Sequence, residues 1–152
     1  MSRRLRHADA YWIRSQIHGK QGRKRKQLAD LNRAIENQPR DVVAITERGL
    51  AYWMRGDEEK ARRDHEHAIG LDASYPVAFQ NLGASFMKRG DCGLALPFLE
   101  RAQRLEPENP SHRLNLAAAC VEQGDVGRAF GMASGGALTA MVGFPASSSE
   151  AP

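Results

Sequence analysis

The most informative part of the chain is residues 76–109, PVAFQNLGASFMKRGDCGLALPFLERAQRLEPEN, because it contains one complete structural unit. Apolar residues recur at helical spacing on both sides of Gly90. Gly90 can adopt the left-handed conformation that ends a helix, and Asp91 can accept hydrogen bonds from the free amides that begin the next one. Pro76 suits a first helical turn, where its missing N–H is not needed. The stretch therefore predicts a helix–turn–helix unit.

The features of this unit return every 34 residues along the chain. The recurring residues are the glycines Gly22, Gly56, Gly90 and Gly124, the aspartates Asp57, Asp91 and Asp125 that follow three of them, and the alanines Ala34, Ala68 and Ala102 twelve residues beyond. A single helix pair cannot bury its apolar side alone, whereas stacked pairs can. A constant period of this length therefore predicts an all-α array of about four helix–turn–helix units.

Residues 76–109 resemble a tetratricopeptide repeat over their whole length. The residues that carry the resemblance are Phe79, Leu82, Gly83, Phe86, Ala95, Ala102 and Pro107. Residues 42–75 are similar, but Arg48 and His65 stand where an apolar residue is usual. The resemblance implies a right-handed α-solenoid.

Two weaker repeats flank these two, and the chain ends differ in composition. Residues 8–41 and 110–138 keep only part of the pattern, as terminal repeats often do. Residues 1–7 form a basic N-terminal segment. Residues 139–152 are predicted to be an apolar and then disordered tail, and the apolar run 137–144 is expected either to cap the last repeat or to offer a surface for self-association.

Positive charge is concentrated at the N-terminal end. Residues 1–40 carry 11 Lys and Arg against 3 Asp and Glu, while residues 41–152 carry 11 against 15. The densest cluster, at the first predicted inter-helix turn, is Arg23, Lys24, Arg25 and Lys26. Such a cluster can bind nucleic acid or an acidic protein surface, although a solvated charged turn is the simpler interpretation.

Several classes of protein are not indicated. No apolar stretch approaches the roughly 18 to 20 residues that span a bilayer. Cys92 and Cys120 lack the spacing of a zinc site or a disulfide framework, so we predict buried free thiols and a cytoplasmic location. His65 and His67 point about 200° apart on a helix and cannot easily share an ion. The common catalytic signatures are missing, so we expect no enzyme activity, no cofactor and no metal site.

In tetratricopeptide arrays the first helices line a concave surface that often binds a peptide or a partner helix. The resemblance implies that the candidate partner-binding residues of this groove are Trp12, Gln16, Thr46, Leu50, Trp53, Met54, Gln80, Asn81, Met87 and Lys88. The large apolar members fall on positions that packing within the array does not require, so they are predicted to be anchors. The alternative is that they pack on one another or on the N-terminal segment.

The predicted function is protein–protein interaction, as a scaffold, an adaptor or a small co-chaperone. The alternative is electrostatic binding of nucleic acid or of an acidic partner through the basic N-terminal repeat. A third interpretation is self-association through the C-terminal end. Salt should weaken electrostatic binding much more than groove binding.

Some members of the family bind the C-terminal carboxylate of chaperones through a clamp of Lys, Asn and Arg residues. Asn81 matches one clamp position. Thr46 and Leu50, however, replace the Lys and Asn of the preceding repeat, and Ser111 and Asn115 replace the Lys and Arg of the following one. Binding of a chaperone tail is therefore not expected.

Overall fold

The computed structural model describes residues 3–133, with side chains over residues 7–131. The helices in this part are α1 (Arg3–Lys20), α2 (Lys24–Asn37), α3 (Val42–Trp53), α4 (Glu58–Leu71), α5 (Pro76–Lys88), α6 (Cys92–Leu105), α7 (Pro110–Glu122) and α8 (Val126–Ala133). Consecutive helices form four pairs, and the second helix of each pair packs on the first helix of the next. The first helices also contact one another, α3 with α5 and α5 with α7. The predicted all-α solenoid is confirmed.

The two ends of the chain need separate comment. Helix α1 begins at Arg3, within the segment 1–7 that the sequence set apart from the first repeat. Residues 134–152, which include the predicted tail 139–152 and the apolar run 137–144, lie outside the described residues. Between Arg3 and Ala133, no helix has the length and apolar character that crossing a membrane requires.

Each helix pair turns at a glycine with a positive φ. These glycines are Gly22 (69°), Gly56 (84°), Gly90 (80°) and Gly124 (80°). The aspartates that follow differ among themselves. Asp125 accepts a hydrogen bond from the Arg128 amide at 3.0 Å, as predicted. The same prediction is wrong for Asp57 and Asp91, which make no capping bond. The Asp91 backbone is not extended as an N-cap usually is (φ −84°, ψ 53°), and its carboxylate lies 3.3 Å from the Arg89 guanidinium instead.

Small residues let the helices approach closely. The alanines that are fully buried at helix contacts include Ala34, Ala44, Ala61, Ala68, Ala78, Ala95 and Ala102. Larger apolar side chains, such as Leu31, Ile45 and Leu99, fill the space between them. Helix α6 runs through Pro97 as one helix. The core is thus a row of small clusters along the stack, and it leaves the inner faces of the first helices to form a groove.

Candidate partner-binding groove

A cavity of about 400 Å³ lies between the first three helix pairs. Its lining residues are Gln16, Gly19 and Lys20 from α1, Lys24 and Gln27 from α2, Thr46, Glu47, Leu50 and Ala51 from α3, Met54 at the C-cap of α3, Tyr75 just before α5, and Val77 and Asn81 from α5. Its volume lies within the usual range of binding sites. The cavity brings together five of the ten predicted groove residues, namely Gln16, Thr46, Leu50, Met54 and Asn81.

Two apolar side chains of α3 stand open in this cavity. Leu50 is 40% exposed and Met54 is 56% exposed. They are four residues apart on one helix, so they lie on the same face, one turn from each other. Neither is used by the packing of the core, and together they offer an apolar surface to an incoming side chain.

Two residues that line the cavity, Thr46 and Asn81, each carry a buried polar atom without a hydrogen-bond partner. Thr46 is 1% exposed, and its Oγ1 has no hydrogen-bond partner among the described residues. The buried Nδ2 of Asn81 lacks one as well. Gln16 donates to the carboxylate of Glu47, whose pKa is raised by burial despite this bond. A buried polar atom without a partner is costly, but the Thr46 and Asn81 atoms have almost no accessible surface, so a ligand in the cavity would not contact them directly.

One end of the cavity is positively charged. Lys20 ends α1 and Lys24 begins α2, and both side chains are exposed. Lys24 Nζ donates to the main-chain carbonyl of Met54 at 3.3 Å. The predicted basic patch is therefore divided, because Lys24 lines the cavity while Lys26 lines a separate depression beside Arg14.

The rest of the predicted patch, Arg23 and Arg25, is exposed. The side chains of residues 3–6 are outside the described part of the chain.

Two predicted anchors pack into the core instead of standing free. Trp12 lies against the cluster of Leu28, Leu31 and Ala51, because its indole reaches from α1 across to α2 and α3. Met87 packs on the cluster between the last two helix pairs. The prediction that packing does not require these two positions is therefore wrong.

Trp53 is half-buried and does not line the cavity. The ammonium of Lys88 lies 4.9 Å from the centre of its ring and 3.5 Å from the carboxylate of Glu58. These predicted groove residues thus contact each other across α3 and α5, and Lys88 ties the second helix pair to the third. Gln80 is half-buried and is also outside the cavity.

Sequence reasoning left several lining residues out of the candidate set. Lys20 and Val77 occupy repeat positions that face inward in the family, so the signal for both was available. Tyr75 precedes α5, in a loop whose course the repeat pattern does not define. Over residues 7–131 there is no group of three or more His, Cys, Asp or Glu side chains that could hold a metal ion.

Comparison with known proteins is consistent with this architecture. Two tetratricopeptide repeat models match, one over residues 8–41 and one over residues 81–133, which together cover more than half of the chain. No curated protein sequence matches.

Solved structures of similar fold include the first TPR domain of Spaghetti bound to an HSP90 peptide. Its TM-score is 0.74 at 22% identity, over 79% of this chain and 95% of that one. The crystal structure of MamA has a TM-score of 0.76 at 16% identity, over 88% and 78% of the two chains. The MamA RS-1 ArsTM double mutant has a TM-score of 0.74 at 20% identity, over 85% and 72%. The repeat-model matches and the stacked helix pairs show that the chain belongs to the tetratricopeptide repeat family.

Proposed function

We propose that the chain binds an extended segment of another protein in the cavity between α1, α3 and α5. The observation that carries this proposal is the pairing of open apolar side chains, Leu50 and Met54, with polar lining residues such as Gln16 and Gln27 in one cavity. An extended backbone would form hydrogen bonds with the polar lining residues while a side chain covers the apolar pair. The chain would then act as a scaffold, an adaptor or a co-chaperone-like module.

The Spaghetti domain, whose structure contains an HSP90 peptide, supports peptide binding as a use of this fold. The mode of binding would differ here. Thr46 is buried and neutral and Leu50 is apolar, so the cationic clamp of chaperone-binding members is not reproduced on α3. Leu50 and Met54 replace Trp53 and Met87 as the principal anchors.

The test uses a displayed library of random short peptides. Peptides selected on the wild-type chain are made synthetically, and their affinities are measured by fluorescence polarisation. Leu50→Glu places a charge in the apolar part of the cavity and should weaken binding by at least about tenfold. Leu94→Glu is the matched control, because Leu94 is a 58% exposed leucine on α6, outside the cavity.

Equal affinities of Leu50→Glu and the wild type for every selected peptide would contradict groove binding. The alternative, electrostatic binding of nucleic acid or an acidic partner through the basic N-terminal repeat, predicts a different result. Binding would then fall steeply with salt and would be lost in Arg23→Gln/Arg25→Gln, whose side chains are exposed and outside the cavity.

A further inference from the structure

The two ends of the cavity carry opposite charges, and the proposed function does not use this asymmetry. At one end, Lys20 and Lys24 are exposed, and Lys20 forms no ion pair within the described side chains. At the other end, the carboxylate of Glu47 accepts a hydrogen bond from Gln16, and Glu47 lies seven residues before Met54, whose carbonyl accepts from Lys24. Tyr75 also lines the cavity, and the pKa of its hydroxyl is raised by burial and further by the charges of Glu47, Asp41 and Glu106. The two ends thus prefer opposite charges.

The start of α2 adds to the positive end. The first turn of α2 contains no acidic residue, and Arg23 at its N-cap makes no side-chain capping bond. Helix α4 begins differently, since Glu58 and Glu59 occupy its first turn. Free amides at a helix N-terminus favour negative charge, and here they act beside two lysines.

Resting on the proposed function, we propose that the groove selects a partner segment in which an apolar side chain is flanked on one side by acidic side chains. The apolar side chain would lie on Leu50 and Met54, and the carboxylates would lie between Lys20 and Lys24. Glu47 at the opposite end would disfavour the reversed orientation, so charge would fix the direction in which the segment lies.

The carboxylates in question are those of side chains, within a segment that continues beyond the groove. Both lysines line the cavity and are exposed, so a chain bound beside them can continue into solvent. A terminal carboxylate is not required by this arrangement, because Thr46 and Asn81, the polar groups of the cavity interior, are neutral.

The experiment uses the full chain and a peptide library with a fixed apolar centre and flanks randomised over Glu, Gln and Lys. We expect Glu to be enriched on one flank only. Synthetic C-terminally amidated probes with two Glu on that flank should bind about tenfold more tightly than probes with two Gln, since each exposed ion pair contributes up to about 1 kcal/mol. Lys20→Met removes one of the two lysines and should reduce this preference to about threefold.

Lys26→Met is the matched control, since it removes the same charge from an exposed lysine that does not line the cavity. An equal loss of preference in Lys26→Met would overturn the inference and would indicate diffuse attraction to the basic turn. Equal affinities for the Glu and Gln probes, with binding still sensitive to Leu50→Glu, would overturn the inference and leave the proposed function standing. Loss of binding on amidation would show that a terminal carboxylate is recognised and would also overturn it. A library that yields no binder would contradict both this inference and the proposed function.

Discussion

The second and third helix pairs carry different chemistry at equivalent repeat positions. In the second pair, Arg48 on α3 donates to both carboxylate oxygens of Asp64 on α4, at 2.8 and 2.7 Å. In the third pair, the residues 34 positions further on are Leu82, which is buried, and Phe98, whose ring stacks on Phe86 with centroids 5.6 Å apart. An ion pair in one repeat corresponds to apolar side chains in the next.

The neighbouring position shows the same contrast. His65 and Leu99 are equivalent and each is 1% exposed. Each lies directly over a glycine: a Cβ on Gly49 would lie 2.6 Å from His65 Nε2, and one on Gly83 would lie 2.7 Å from Leu99 Cδ2. The backbone arrangement therefore depends on the glycine, and the side chain above it can be polar or apolar. What the polar version changes is the response of the fold to mutation and to pH.

The largest expected effect comes from breaking the ion pair from one side. Asp64→Ala leaves the largely buried guanidinium of Arg48 with the neutral Asn32 as its remaining partner. We expect urea denaturation to show a loss of about 3 to 4 kcal/mol in the free energy of unfolding. The double variant Arg48→Leu/Asp64→Phe copies the third pair and should lie within about 1 kcal/mol of the wild type or above it. A double variant as unstable as the single one would contradict the equivalence of the two pairs.

The second-largest expected effect is a pH dependence of the free energy of unfolding. The second helix pair should contribute to it through His65, and the third, with Leu99 at that position, should not. Burial lowers the pKa of His65 from 6.5 to about 4, against the smaller opposing influences of the Thr46 backbone and then of the Asp64 charge. The unfolded chain takes up this proton near pH 6.5 and the folded chain does not, so the unfolded state binds more protons between pH 6.5 and 4. Stability is therefore complete above pH 6.5 and falls as the pH drops through this window, by up to about 3 kcal/mol.

His65→Leu, which copies Leu99, should remove that part of the pH dependence. Other groups also titrate in this range, so the quantity to measure is the difference between wild type and variant. Measured at pH 7, 5.5 and 4, the free energy of unfolding of the variant should increase relative to that of the wild type as the pH falls. A difference that does not change with pH would show that His65 is not held neutral by burial.

The sequence predicted the period, the glycine turns and the helix pairs, because these depend on local conformation. It also identified Arg48 and His65 as departures from the apolar pattern. The partner of Arg48 was harder to find, although the sequence contains a signal for it. Arg14 and Asp30 have the same spacing as Arg48 and Asp64, one repeat earlier. In the structure Arg14 Nε donates to Asp30 at 2.7 Å.

The groove was predicted less well than the fold. The repeat pattern gives the face of α3 on which Trp53 lies, but it does not say which neighbour covers that face. Lys88 does so from α5, and only the stacking of the two helix pairs brings its ammonium over the indole. Leu50 and Met54 remain open because no such neighbour reaches them, which is a property of the stack and not of either helix.

The smallest expected effect tests whether the glycine or the residue above it controls the close approach. Gly49→Ala and Gly83→Ala should each lower the free energy of unfolding by about 2 kcal/mol, since the new methyl group must displace a packed side chain. Gly70→Ala is the matched control within α4, where a Cβ meets nothing within 4 Å, and it should stabilise the helix by about 0.5 to 1 kcal/mol. The double variants Gly49→Ala/His65→Ala and Gly83→Ala/Leu99→Ala also shorten the side chain above the glycine. In each, the loss of stability should be clearly smaller than the sum of the losses in the two single variants, because the new methyl group no longer clashes once the space is open. If the losses add instead, the glycines matter for another reason than the space they leave to His65 and Leu99, and the two helix pairs do not share one packing rule.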